Sequence, residues 1–138
     1  MSEENKAVAR RFYEEVFNQH RVDAIDQVCT PDFIDHSPMP GQAAGSQGLQ
    51  DVFAMFIGAF PDMHVTIEEM IAERDLVVSR ITVTGTHSGE IMGAPATGKR
   101  VTFHGMDMIR VRDGKASEVW HEGDDMMVLM ELGVQPPG

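Results

Sequence analysis

Apolar residues follow two different periods along this chain, and the change from one to the other divides it into halves. In the first half, Val8, Phe12 and Val16 recur every four positions with Ala9, Tyr13 and Phe17 beside them, which is the stripe of an amphipathic helix. The segment "VDAIDQVC" adds a shorter helical turn that offers Val22, Ile25 and Val28 to the same core. "PDFIDH" is a brief extended piece, and the Pro- and Gly-rich "SPMPGQAAG" after it is a loop. Leu49, Val52, Phe53, Phe56, Ile57 and Phe60 then return to helical spacing, with Ser46 as the predicted N-cap and Pro61 as the stop.

The second half alternates instead. "MHVTIEEMI", "LVVSRITVTGTH", "RVTFHGMDMIRV" and "KASEVWHEG" are β-rich runs separated by turn signals, with the glycine-rich loop "SGEIMGAPATGK" between the second and third. Arg112, Asp113 and Gly114 join the last two runs as a tight hairpin with Gly114 in the left-handed region. "DDMMVLMELG" closes the chain as a short helix ended by Gly133. Helices first and a meandering antiparallel sheet afterwards make a single α+β domain over residues 1–138, with helices against a bent sheet and a hollow between them for a small ligand.

The hairpin decides which side chains face that hollow. A three-residue loop pairs Val111 with Lys115, setting His121 opposite Gly105 and Val119 opposite Asp107. One face then carries Phe103, Gly105, Asp107, Ile109, Val119 and His121, and the other carries His104, Met106, Met108, Trp120, Glu122 and Asp124. Asp107 and His121 become diagonal neighbours, about 7 Å apart at the backbone. A carboxylate beside an imidazole fixes its tautomer and raises its basicity, which prepares a general base. The same pair is also what an ordinary polar contact on a solvated face would look like, and a two-residue loop would separate it. Asp124, just ahead of the terminal helical run, is predicted to cap free backbone N–H groups, with Asp125 a first-turn acid beside the helix dipole.

Composition narrows the function classes. A net charge of −11 argues against nucleic acid and anionic membrane, which reward clustered Lys and Arg. Cys29 is the one cysteine and reads as a small core residue, so no internal disulfide forms. Neither a signal-peptide h-region nor a bilayer-length apolar run is present, and a cytoplasmic location is the expectation. The histidines form no HExxH or Cys/His cluster, and His121, Glu122 and Asp124 point to alternating faces, so no metal is expected. GxGxxG, GxxxxGK[ST] and GxSxG settings are missing too, leaving nucleotide binding and serine nucleophiles without support.

The pieces "FPD", "GTHSG", "APATGK", "R-x-x-DGK" and the terminal "D…ELG", with the helical start "FYEEVFNQHRVDAIDQVCTPDFIDHSP", resemble the SnoaL-like polyketide cyclase, or predicted ester cyclase, family over nearly the whole chain. That family is similar in fold to nuclear transport factor 2 and ketosteroid isomerase. The resemblance implies an α+β cone, a curved antiparallel sheet over helices around a deep pocket, and a homodimer. It also implies cofactor-free enolate chemistry, an intramolecular aldol condensation, on a small hydrophobic or carbonyl-containing molecule. The family's catalytic aspartate falls seven residues after the hairpin glycine and its histidine six before the hairpin aspartate. Those positions here hold His121 and Asp107, so acid and imidazole are exchanged between the strands. By resemblance, Phe33 and either Asp35 or His36 join Phe103, Gly105, Ile109 and Val119 around the pocket, while Asp124 and Gly114 are structural. The expected enzyme uses His121 as base and Asp107 to orient it. The alternatives are a hydroxylase of the same family and a non-catalytic dimeric module for an apolar ligand.

Overall fold

A computed structural model describes residues 2–135. The amphipathic stripe forms α1 (Ser2–Arg11), which runs on into a π-helical turn over Phe12–Asn18. That wider turn buries Phe12, Tyr13 and Val16 together; π-turns of this kind recur near functional sites. A 3₁₀ turn (Val22–Ala24) leads into α2 (Ile25–Val28) and β1 (Cys29–Asp35). Helix α3 (Gly45–Ala59) starts one residue before the predicted cap. Its N-cap position is Ala44, without a side-chain hydrogen bond, so Ser46 lies inside the first turn rather than capping it. The helix ends ahead of Pro61, whose ring disfavours α geometry at Phe60.

Four strands follow, β2 (His64–Glu73), β3 (Leu76–Thr86), β4 (Arg100–Arg112) and β5 (Lys115–Gly123), and then α4 (Asp125–Glu131). The sheet order is β1-β5-β4-β3-β2. The meander is antiparallel, but β1 pairs parallel to β5, so the sheet is mixed rather than wholly antiparallel. A parallel neighbour needs a long crossover, and everything from α3 to β4 supplies it. Helices α1 to α3 cover the concave face, and the core between the layers takes Tyr13, Val16, Ile25, Phe60, Val77 and Leu129 among its most buried side chains. Cys29 is part of that core, and burial, then the nearby Asp26 charge, pushes its thiol up to about 12.

The β4–β5 hairpin differs from the expected geometry in two places that cancel. Its loop has two residues, Asp113 (φ 52°) and Gly114 (φ 76°), closed by Arg112 opposite Lys115. Both in the left-handed region, they form the turn whose twist matches the flanking strands. Such a loop would turn every side chain of β5 to the other face. A bulge restores the phase. Val111 faces Ala116, but Arg110 faces Glu118, so Ser117 is the extra residue. Its buried hydroxyl donates to the Arg110 carbonyl at 3.2 Å, which satisfies a group that the bulge takes out of the ladder. Beyond the bulge Asp107 lies directly opposite His121, and Ile109 opposite Val119.

Candidate active site

A cavity of about 150 Å³ lies between the concave sheet and the helices. Its wall is largely apolar, with Phe12 and Phe17 from the π-helical turn, Phe53 and Phe56 from α3, and Ile81, Phe103 and Val119 from the sheet. Phe12 and Phe17 each meet Phe53 edge to face, with ring centroids 5.6 and 4.7 Å apart. Aromatic edges and faces of this kind suit a planar apolar ligand.

One polar chain crosses that wall. The Tyr13 hydroxyl donates to Asp107 Oδ2 at 2.7 Å, Asp107 Oδ1 accepts from His121 Nδ1 at 2.5 Å, and His121 Nε2 meets Asp125 Oδ1 at 2.7 Å. The His121 backbone N–H donates to Ser37 Oγ, which ties the strand to the loop after β1. Both ring nitrogens therefore face carboxylates, the arrangement of a doubly protonated ring. Burial works against the imidazolium. The hydrogen bonds and charges of Asp107 and Asp125 outweigh it and push the His121 pKa from 6.5 up to about 10. Tyr13 is held well above its ordinary value by burial and then by the Asp107 charge, so at neutral pH it keeps the proton that it donates to Asp107.

Glycine seats the imidazole. Gly105 and Gly123 are direct cross-strand partners. A Cβ at Gly105 would stand 2.7 Å from His121 Cε1, and one at Gly123 2.7 Å from Asp125 Oδ1. Neither position admits a side chain without moving the ring or the carboxylate beside it.

The residues singled out from the sequence divide as follows. Asp107, His121, Phe103, Gly105, Val119 and Asp35 line the cavity. Asp35 and His36 are resolved by strand alternation, which turns one inward and its neighbour outward. Asp35 accepts from the Ser37 N–H and from Gln42 Nε2, holding the loop after β1 against the mouth. His36 is a correction. It stacks on Trp120, ring centroids 4.4 Å apart and planes 4° off parallel, and its Nε2 meets Glu118, all on the outer face. Phe33 and Ile109 are corrections too: they point inward but sit in the packed core, 3% and 2% exposed, where neighbouring side chains leave no cavity to line. Asp124 occupies the N-cap position of α4 without a side-chain cap bond. Its carboxylate instead accepts from the His104 N–H at 2.7 Å and meets His104 Nδ1, so it clamps the helix start to β4. His104 is thus paired with Asp124, and Glu122 faces Met106.

Sequence reasoning missed two members of the chain. The helical stripe reads Tyr13 as core, and no local signal connects it with a strand residue 94 positions away. Asp125 had a visible signal in its spacing of four residues from His121, but was assigned to the helix dipole. Among the described residues no group of three or more His, Cys, Asp or Glu is arranged to hold a metal ion, and no helix is long and apolar enough to cross a membrane.

Comparison with known proteins follows the same outline. The family model described as SnoaL-like polyketide cyclase matches residues 7–132. Nogalonic acid methyl ester cyclase of Streptomyces nogalater is 25% identical over 119 residues, covering 85% of this chain and 89% of that protein. Among solved structures, AclR of Streptomyces galilaeus, a candidate hydroxylase, is 32% identical with TM-score 0.84, covering 99% of this chain and 100% of its own. IdmH of Streptomyces antibioticus, a candidate polyketide cyclase, is 32% identical with TM-score 0.78, covering 94% of this chain and 99% of its own.

Proposed function

The chain belongs to the SnoaL-like polyketide cyclase family, and from that premise we propose that it is a cofactor-free acid/base enzyme closing or isomerising a small polyketide-like carbonyl compound through an enolate. The observation that carries this reading is the Tyr13–Asp107–His121–Asp125 chain set in an otherwise apolar cavity.

The protonation state reassigns the roles expected from an unperturbed histidine. With its pKa near 10, His121 is an imidazolium at neutral pH and acts as the acid, not the base. Asp107 and Tyr13 position the ring from behind. The substrate carbonyl oxygen accepts from His121 Nε2–H, and Asp125, displaced from that nitrogen, takes the proton from the carbon alpha to the carbonyl. The enolate carbon then attacks a second carbonyl of the same molecule, one C–C bond forms, and the new alkoxide takes a proton from His121. The ring regains its proton from Asp125, so the site ends as it began. Preorganised charge at the developing oxyanion is the main source of rate in such a step.

The test is ring closure of nogalonic acid methyl ester, or of a simpler diketone, followed by mass and chromatography in deuterated water. Wild-type protein is expected to close the ring, and substrate recovered part-way is expected to carry deuterium at the alpha carbon, where enolate that forms is reprotonated before it attacks. His121→Gln is expected to lose that activity, and equal turnover by the variant removes the proposal. The likeness to AclR favours hydroxylation as the second reading; oxygen uptake dependent on substrate would establish it. We also assign the exposed outer face around Ile34, Met106 and Trp120 to a second copy of the chain. Light scattering at a monomer mass would refute that assignment.

A further inference from the structure

Both ring nitrogens of His121 are taken up by carboxylates. Any ligand oxygen that reaches the ring must replace one of its two carboxylates, and the two are not equivalent. Asp107 is buried, with one oxygen on His121 and the other on Tyr13, and has nowhere to go. Asp125 is different. Its side chain is 32% exposed against 9% for Asp107. It begins α4, bonds His121 through Oδ1 alone, and its Oδ2 accepts no hydrogen bond among the described residues. His121 and Asp125 both line the cavity, so the ring and the carboxylate on its Nε2 border the space a ligand would enter.

We propose that the place Asp125 Oδ1 occupies on His121 Nε2 is a subsite for a ligand oxyanion, filled in the resting protein by the chain's own carboxylate. The ligand class is a delocalised oxyanion, a phenolate or the enolate of a 1,3-dicarbonyl compound, carried on an apolar ring. This rests on the acid role of His121 and extends it to what the site selects.

Three observations support the class. First, the group to be displaced is charged, and charge-assisted hydrogen bonds are roughly twice as strong as neutral ones. A neutral carbonyl oxygen therefore displaces Asp125 less readily than an oxyanion does. Second, among the described residues the cavity is lined by Asp35, Asp107 and Asp125 with no lysine or arginine, and His104 is taken up by Asp124, so His121 is the group placed to receive a ligand's negative charge. Third, the cavity of about 150 Å³ beside this subsite is walled by Phe12, Phe17 and Phe53. An apolar hollow of about that size holds a single aromatic ring. Asp125 is thereby a specificity-determining residue. Ligands that ionise readily open the latch most fully, and unactivated ketones least.

The experiment is a binding titration at one neutral pH with 4-nitrophenol, whose absorbance reports its ionisation, and 4-nitroanisole, the same ring with its oxygen methylated. Wild-type protein, Asp125→Asn and Asp125→Ala are compared. The expected result is that both variants bind the phenolate at least tenfold more tightly than wild type, while 4-nitroanisole affinity changes less than twofold. Unchanged or weaker phenolate binding overturns the proposal, and so does an equal gain for both ligands, which would mean only that space was created. Because Asp125 is also the proposed base, tighter binding is expected alongside a lost kcat. The titration reads binding alone, so its failure leaves the ring-closure reading intact, and failure of ring closure leaves the titration intact.

Discussion

The two faces of the β4–β5 hairpin are built from the same side-chain chemistry and differ in what surrounds it. On the inner face His121 and Asp107 meet across the strands at 2.5 Å, with side chains 30% and 9% exposed. Outside, His104 meets Asp124 at 3.2 Å with 67% and 31% exposed, and His36 meets Glu118 at 3.2 Å with 36% and 27% exposed. Exposed pairs are screened and contribute about 0–1 kcal/mol. The inner pair is sheltered by aromatic rings, and its second carboxylate oxygen is locked by Tyr13. Histidine beside an acid is therefore not a functional signal by itself. Shelter and a further hydrogen-bond partner turn one such pair into a charged site.

The largest effect should come from exchanging the faces. Swapping two neighbours on β5, Trp120→His together with His121→Trp, puts an indole opposite Asp107 and the imidazole outside. The expected outcome is loss of cooperative unfolding in a thermal melt, since the seat beside Gly105 and Gly123 already holds an imidazole tightly and does not fit the larger indole. Next, Asp107→Asn keeps the shape and removes the charge behind the ring. Turnover in the ring-closure assay should fall roughly 10²–10⁴-fold, the usual worth of positioned acid/base catalysis. The His121 pKa read by NMR should drop well below about 10.

Tyr13→Phe tests shelter against partner. The ring volume stays, but Asp107 Oδ2 loses its donor inside the core. Leaving such a group unpaired costs about 1–3 kcal/mol, measurable by urea unfolding. A pH series sharpens the same contrast. His121 gains proton affinity on folding, from 6.5 to about 10. Its contribution to stability is complete below the unfolded value, declines as pH rises between the two, and is gone above the folded value. Unfolding midpoints should fall across that window, and His121→Gln should flatten the fall. The smallest effect belongs to the outer face. Glu69→Ala breaks the Arg80 pair, 53% and 73% exposed, and should change stability by less than about 1 kcal/mol in the same assay.

Much of this protein was legible locally. Helix and strand periods placed α1, α3 and β2 to β5 within a few residues of where they fall, because periodicity records which side of each element is buried. The pairing of Asp107 with His121 was also foreseen, although by a route the structure corrects. The sequence predicts a three-residue turn, and the two-residue turn with a bulge at Ser117 reaches the same face. No local rule marks Ser117 as a bulge. Its hydroxyl finds its acceptor on the opposite strand, and that contact exists only once the strands are paired.

Sequence alone, then, determined the two-layer α+β plan, the inward set on β4 and the membership of a family, since each follows from local period and motif. Tertiary structure decided the rest. It brought Tyr13 from the helical layer and Asp125 from the last helix onto the same two residues of the sheet. It also turned His36 out and Asp35 in, and gave the imidazole its proton at neutral pH. The physical reason is that burial and charge at a point are sums over everything packed around it, and chain spacing does not record those neighbours.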